Sequence, residues 1–282
     1  MRPIRLAQAR DSLDGRRLMS SDSQDPIFRW PPDYGAWWTD LRVAAAFLTR
    51  LPIGLSIGGE MSTLARASRC FPVVGLGIGL LGGILYALAI ALDLPTLLAA
   101  IIAVAATVAV TGALHEDGLA DMVDGFGGGG DRDRKLQIMR DSRIGTYGVV
   151  ALVLALGARV VALGSFEDNA DAVCALILCH AASRALVVAV MHYAPLARGD
   201  GLAASAGRPP QATMLWALAL GGLIALLFAG FDGAVATVAG AAIGWAIVAL
   251  ARRQIGGVTG DVLGAVQQGS EIAMLLALVA LD

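Results

Sequence analysis

The stretch FPVVGLGIGLLGGILYALAIALDLPTLLAAIIAVAATVAVTGALHEDGLADMVDG (71–125) places two apolar runs, near 73–92 and 94–114, around a turn whose one charge is Asp93, then changes abruptly to acids and glycines. Each run is close to the roughly 20 residues a helix needs to cross a hydrocarbon core. Outward from this pair the pattern recurs near 148–164, 172–193, 211–230, 233–251 and 262–281. The last run is the least apolar, with Gln267, Gln268, Ser270 and Glu271 in its first half. Hydrophobic residues make up 57% of the 282, charged residues 16%, and the mean hydropathy is +0.70. A soluble domain carries about 25% charged residues, so these are too few to cover a globule in water. An ordinary cytosolic enzyme, a disordered chain and a coiled coil are excluded. The expectation is an all-α polytopic membrane bundle of about seven transmembrane helices.

Charge sets the topology. With a cytosolic N-terminus and seven crossings, the outer segments are the turn at Asp93, FEDNAD (166–171), the turn at Asp232, and Asp282. They hold acids and no Lys or Arg. Of the 21 Lys and Arg, Arg159 and Arg184 lie inside runs, which leaves 19 on the cytosolic side. This is the asymmetry of the positive-inside rule, and an even number of crossings would destroy it. Residues 1–40 read as a polar, mobile cytosolic extension with no apolar segment of the signal-peptide kind. Its end, WPPDYGAWW (30–38), reads as an interfacial anchor, and 41–55 as a surface helix. Residues 41–282 then form one membrane-embedded domain. Net charge is -2, which offers no basic field for nucleic acid. Cys70, Cys174 and Cys179 lack metal-type spacing and read as packing residues. GIGLLG (77–82) matches a dinucleotide fingerprint only in letters, because it lies inside an apolar run. Gly75, Gly79 and Gly83 are spaced for close helix packing instead.

The chemistry lies in TGALHEDGLADMVDGFGGGGDRDRKLQIMRDSRIGTYG (111–148). Asp117, Asp121 and Asp124 fall on one helical face. Three such carboxylates repel one another unless a cation neutralises them, and hard oxygen ligands suit Mg²⁺ or Mn²⁺. Gly118 and Gly125 each follow an aspartate, which suggests close approach of a ligand or a break in the helix. The Gly127–Gly130 block is flexible enough to wrap a phosphate or act as a hinge. Arg132, Arg134, Lys135, Arg140 and Arg143 follow, and guanidinium groups suit phosphate oxygens. Acids, glycines and bases together describe a metal-dependent phosphoryl-transfer site. His115 is a candidate general base. Asp261, in GGVTGDVLGA (256–265), could join the site from the last run. Arg50, Arg66 and Arg69 lie on the same side of the membrane, as substrate contacts or as anchors. Arg184 and Arg159 are intramembrane charges, which default to function.

At HEDGLADMVDG (115–125) and MRDSRIGTYG (139–148) the sequence resembles the cobalamin synthase, or adenosylcobinamide-GDP ribazoletransferase, family. The resemblance rests on His115, Asp117, Gly118, Leu119, Ala120, Asp121, Asp124 and Gly125, then Ile138, Met139, Asp141, Ser142, Arg143, Gly145 and Gly148. It continues through Thr49, Arg50, Leu51 and Pro52, Phe71 and Pro72 before Gly75, and Gly257, Thr259, Gly260, Asp261, Gly264 and Ala265, covering about 41–282. Glu116 departs from it, standing where the family usually has an apolar residue, and could add a ligand or disturb the metal pattern.

The resemblance implies the final assembly step of the nucleotide loop of adenosylcobalamin, a Mg²⁺-dependent transfer. Adenosylcobinamide-GDP would be joined to α-ribazole or its 5′-phosphate, with GMP released. In that reading Asp117, Asp121 and Asp124 bind Mg²⁺. His115, Asp121 and Arg143 are catalytic, and Arg50, Arg140, Asp141, Ser142, Arg184 and Asp261 contact substrate or phosphate. The expected setting is the inner membrane, lipid around the bundle and the site facing the cytosol; a homo-oligomer stays open. Two other readings compete. A CDP-alcohol phosphotransferase would need Ala-Arg after DGxx, where this chain has Asp121. An ion-coupled transporter would need acids near the midplane.

Overall fold

The computed structural model describes residues 34–53 and 63–282, all within one compact unit. Among these residues the chain is helical. Helix α1 is Tyr34–Leu48, and a 3₁₀ turn at Ser68–Cys70 leads into α2, Phe71–Ala91. Then come α3 (Thr96–Thr111), α4 (Leu114–Gly128), α5 (Arg132–Ile138), α6 (Thr146–Gly164) and α7 (Asn169–Tyr193). The short α8 (Leu202–Ala206), the long α9 (Gln211–Ile255) and α10 (Gly260–Leu281) complete the chain.

Local chemistry sets the ends. Pro72 opens α2, and Pro95 and Pro210 precede the first turns of α3 and α9, where a missing N–H costs nothing. Asp131, Asp168 and Thr259 cap α5, α7 and α10 by accepting from backbone N–H groups. Gly112 and Gly256 close α3 and α9 in the left-handed conformation.

Five segments are long and apolar enough to cross a membrane: Thr63–Ala91, α6, α7, α9 and α10. The pair α3–α4 makes a sixth, bent by 88°. Helix α9 is not one rod. At Ala229 and Gly230 the backbone leaves the helical region, and Gly230 has φ 53° and ψ −131°. A Cβ on Gly233 would lie 2.2 Å from the carbonyl oxygen of Ala225, eight residues earlier. In a straight helix those residues would be about 12 Å apart along the axis. The chain therefore folds back into two arms, 211–228 and 231–255, with the reversal just before the expected turn at Asp232.

Helix α7 is the central post, packed by α2, α9 and α10. The glycine stripe of α2 meets it directly. A Cβ on Gly75 would sit 2.2 Å from the His180 carbonyl oxygen, and one on Gly79 would sit 2.5 Å from that of Leu176. The four expected outer segments gather at one pole. Glu167 N donates to Asp282 Oδ2 at 2.8 Å, Thr96 donates to the Gly164 carbonyl, and Phe166, Asp171, Phe228, Asp232 and Asp282 line one hollow. Side chains such as Leu154 on α6 and Leu227, Phe231 and Val238 on the arms of α9 face outward, as lipid contact requires.

The N-terminal expectation is only partly met. Trp30 and the rest of 1–33 lie outside the described residues. Trp38 is exposed, but Trp37 packs edge-on against Trp216, and the Arg69 guanidinium lies 3.9 Å from its ring centroid. Arg66 and Arg69 both pair with the buried Asp40 of α1, at 2.9 and 2.7 Å. These two arginines anchor α1.

Candidate active site

The site begins where the second apolar run stops. Gly112 and Ala113 are both left-handed, at φ 65° and 57°, and these two residues swing α4 away from α3. Ala113 carries a Cβ there at a cost of about 1–2 kcal/mol. Gly112 is open because the Arg50 side chain crosses it, with Nε 2.2 Å from where a Cβ would be. Arg50 itself is exposed beside the bend.

Helix α4 carries the acids at graded depth: Asp117 exposed, Asp121 half-buried and Asp124 buried. Asp117, Asp124 and Asp261 are all close enough for their charges to act on Asp121. Among the described residues, neither the Asp117 nor the Asp121 side chain has a hydrogen bond or ion pair from the protein. Asp124 differs from the expected metal ligand. Its Oδ2 accepts from Gly145 N at 2.7 Å and its Oδ1 from Gly148 N at 2.8 Å. A Cβ on either glycine would sit 2.4 Å from an Asp124 oxygen. The carboxylate thus holds the first turn of α6, at the end where the helix dipole favours an anion. No three His, Cys, Asp or Glu side chains among the described residues form a closed metal cage. The side chains with oxygens to spare are Asp117 and Asp121, with Asp261 alongside.

The glycines serve the protein, not a ligand. Gly118 abuts the backbone of Asp261 and Gly264, and Gly264 in turn meets His115 and Gly118. That crossing brings α10 against α4 and sets Asp261 beside the acids. Gly125 packs on Met139, Gly127 on the Tyr147 ring and Gly129 on Lys135. Helix α4 runs unbroken through Gly128, so only Gly129 and Gly130 of this block lie outside it.

The basic run is mostly engaged in pinning loops. Arg132 donates from Nε to the Ile255 carbonyl at 3.0 Å and from Nη2 to that of Ala197 at 2.6 Å, and Lys135 pairs with Gln254. Arg134 bonds Gln137. Arg140 pairs with Asp200, and Arg143 with Asp141, in exposed contacts of 2.6 and 2.7 Å. Its bonds to Arg143 hold the Asp141 carboxyl down at about 2. Ser142 is exposed in the same turn. The loop 195–201 lies against 257–259 through Ala197 N to Val258 O and Val258 N to Pro195 O. This seats Arg198 with Nη2 3.9 Å from Asp261 Oδ2 and Nε 3.7 Å from Asp200 Oδ1. Reading the sequence did not single out Arg198 or Asp200, because their loop carries no motif; only the bridge to Val258 brings them to the site.

Behind the acids lies a cavity of about 120 Å³. Asp117 and Asp261 stand at its mouth; Phe47, Phe71, Val187, Met191 and Leu263 wall it; His115 and Arg184 are buried within it. Beneath runs a buried polar network. Arg159 Nη1 is 2.9 Å from Glu116 Oε1 and its Nη2 is 2.9 Å from Glu271 Oε1. His180 Nδ1 lies 3.1 Å from both Glu271 Oε2 and Arg184 Nη1. Gln268 donates to Glu116, and Gln267 to Glu271 and Ser183. Glu116 is therefore the counter-ion of Arg159 and adds nothing to the acid face. Glu271, Gln267 and Gln268 were missed as partners. The signal was present: two intramembrane arginines require acids, and the last run held a polar patch with no other use.

Comparison with known proteins agrees with this geometry. Residues 40–279 match the family described as cobalamin-5-phosphate synthase. The adenosylcobinamide-GDP ribazoletransferase of Bradyrhizobium diazoefficiens is 49% identical over 242 residues, covering 86% of this chain and 93% of its own. The protein of that name from Mesorhizobium japonicum is 48% identical over 246 residues, at 86% and 94% coverage. That from Rhizobium johnstonii is 43% identical over 248 residues, at 85% and 95%. No solved structure matches the chain. With a family match running nearly the whole length of the bundle and relatives of this similarity, the chain belongs to the cobalamin-5-phosphate synthase family.

Proposed function

We propose that the chain joins adenosylcobinamide-GDP to α-ribazole or its 5′-phosphate, releasing GMP. Family membership supports the reaction. The observation that carries it to a site is Asp117, unneutralised by protein at the edge of a largely apolar cavity that Asp261 also lines, with Asp121 close enough to feel both charges. The ribazole 3′-oxygen forms a bond to the phosphorus that bears the cobinamide. The bond from that phosphorus to the GMP phosphate breaks, and GMP leaves with the electron pair. The hydroxyl proton passes to Asp121, one turn along α4 from Asp117, or to His115 in the cavity wall.

The donor chemistry suits Mg²⁺: Asp117 and Asp121 would offer it carboxylate oxygens that carry no protein cation. When bound, the ion polarises the diphosphate and stabilises the departing phosphate. Asp124 serves this set indirectly by holding α6 against α4. Arg140 and Arg143 sit in exposed pairs worth about 0–1 kcal/mol. They can exchange Asp200 and Asp141 for phosphate oxygens at little cost. Arg50 and Arg198 flank the same mouth.

We further infer seven crossings, with α9 counted as two arms, a cytosolic N-terminus and an inner-membrane location. The cation-free pole supports this. The other pole carries Arg50, Arg66, Arg132, Arg140, Arg198 and Arg252 along with the site, as a cytosolic face should. The test is GMP release by detergent-purified protein given adenosylcobinamide-GDP, α-ribazole 5′-phosphate and Mg²⁺. Release should track corrinoid product and vanish with EDTA or Asp121→Ala. No release from folded protein would overturn the assignment; loss in His115→Asn but not Asp121→Asn would move the proton acceptor to His115.

A further inference from the structure

We propose that residues 198–207, which carry α8, form a lid over the cavity, latched by Asp200 to Arg140, and that a substrate phosphate taking Arg140 from Asp200 releases it. The proposal rests on the transferase reading above and adds how that site admits a substrate. At about 120 Å³ the cavity is smaller than the roughly 300–1,000 Å³ usual for small-ligand sites. A nucleoside-sized group that enters therefore needs a wall to move. Most of the wall belongs to α2, α4, α7 and α10, long helices packed on one another, and α1 is tied down through Asp40. The exception is α8, five residues long, which gives Leu202, Ala203 and Ala206 to the lining.

The chain is fixed on both sides of this segment. Before it, Ala197 N donates to the Val258 carbonyl at 2.9 Å, and the Ala197 carbonyl accepts from Arg132 at 2.6 Å. After it, His192 Nδ1 lies 2.8 Å from the Pro209 carbonyl oxygen. Between these anchors, among the described residues, 201–207 hydrogen-bonds only within itself. A segment with so few ties opens at low cost. Both ends of α8 are glycines with positive φ, Gly201 at 88° and Gly207 at 76°, the residue that turns most freely. Leu202 rests on bare backbone, its Cβ 3.4 Å from where a Cβ on Gly260 would be. A second hollow of about 290 Å³ shares Met191, Ala203 and Leu263 with the cavity and reaches Gly207 and Arg208. It gives α8 space to move into, and the cavity gains what that hollow loses.

Charge holds the lid shut. Arg140 Nη2 donates to both Asp200 oxygens, at 2.8 and 2.6 Å, and ties the lid to the turn after α5. Arg198 lies between Asp200 and Asp261, at 3.7 and 3.9 Å. Arg140 and Asp200 are both more than half exposed, so a phosphate reaches the guanidinium from solvent. Guanidinium suits phosphate as well as it suits carboxylate. A ligand that holds Arg140 only when Asp200 has let go shifts the population toward the open lid.

The test reads the lid by thiol labelling of the full chain in detergent. Ala206 is 4% exposed, so Ala206→Cys should react slowly with a bulky maleimide, and peptide mapping separates position 206 from the native cysteines. Adding Asp200→Asn or Arg140→Gln should speed labelling about two- to fivefold, the scale of an exposed ion pair. The two together should be no faster than either alone, because they break one latch. Inorganic pyrophosphate should speed labelling by a similar factor when the latch is intact and have no effect in either latch variant. Ala203→Cys, at a position 8% exposed, is the second reporter if the first does not fold. Labelling unmoved by both latch substitutions, additive effects of the two, or labelling slowed or unchanged by pyrophosphate would overturn the proposal. Absence of GMP release from wild type would instead sink the transferase reading and leave the labelling result standing, so the two failures are distinct.

Discussion

Arg159 and Glu116 meet inside the bundle, with Nη1 and Oε1 2.9 Å apart and both side chains more than nine-tenths buried. The two residues are 43 apart in sequence, on α6 and α4. This pair ties the helix that carries the acids to the lipid-spanning frame. Glu116→Leu should therefore destabilise the protein by about 3–5 kcal/mol, since it strips one anion from a buried cation. Glu116→Gln keeps an acceptor and should cost less. Unfolding of detergent-solubilised variants measures both. The Mg²⁺ concentration for half-maximal GMP release should not move in Glu116→Gln; a rise would place Glu116 among the metal ligands after all.

Asp124 should behave as a clamp. Asp124→Ala leaves the Gly145 and Gly148 amides without their acceptor, a loss of about 1–3 kcal/mol for the buried Gly148 donor and less for the part-buried Gly145 donor. Amide hydrogen exchange across residues 144–150 should accelerate in this variant. Unchanged exchange together with lost Mg²⁺ affinity would return Asp124 to the metal set.

Asp117 and Asp121 should show the opposite pattern. Asp117→Asn and Asp121→Asn remove mutual repulsion and no hydrogen bond, so stability without Mg²⁺ should hold or rise. Mg²⁺ at about 100 times its Kd should stabilise wild type by about 2.7 kcal/mol, and this increment should disappear in either variant. A thermal melt with and without Mg²⁺ decides it; an undiminished increment in both variants would remove the ion from this face.

The glycines of α2 offer an internal control. Nothing lies within 4 Å of where a Cβ on Gly77 would be, whereas one on Gly79 would strike the α7 backbone at 2.5 Å. Gly77→Ala should stabilise by up to about 1 kcal/mol, the helix propensity difference. Gly79→Ala should destabilise by pushing α2 off α7. Equal Tm values for the two would contradict the packing.

Much was legible before the structure. The spans follow from hydropathy because a backbone in lipid must satisfy its own hydrogen bonds, which leaves helices of near-fixed length. The pole without cations follows from counting Lys and Arg. The shared face of Asp117, Asp121 and Asp124 follows from helical period. What local pattern could not supply is which of these oxygens remain available. Asp124 is consumed by amides 21 and 24 residues away. Gly118, Gly125 and Gly129 make room for protein, although adjacent acids suggested a ligand. Arg132 and Lys135 are used on the end of α9 and the loop beside it.

What the sequence alone determined is the membrane bundle, its polarity and the segment that carries the chemistry, because composition and period act locally and are read residue by residue. What only the tertiary structure decided is the division of labour: Asp117 and Asp121 left unpaired, Asp124 spent on α6, Glu116 and Glu271 set against Arg159 and Arg184, and Arg198 brought beside Asp261. Hydrogen bonds and ion pairs saturate, so a group's availability depends on which distant partner reaches it first, and that is settled only by how the helices cross.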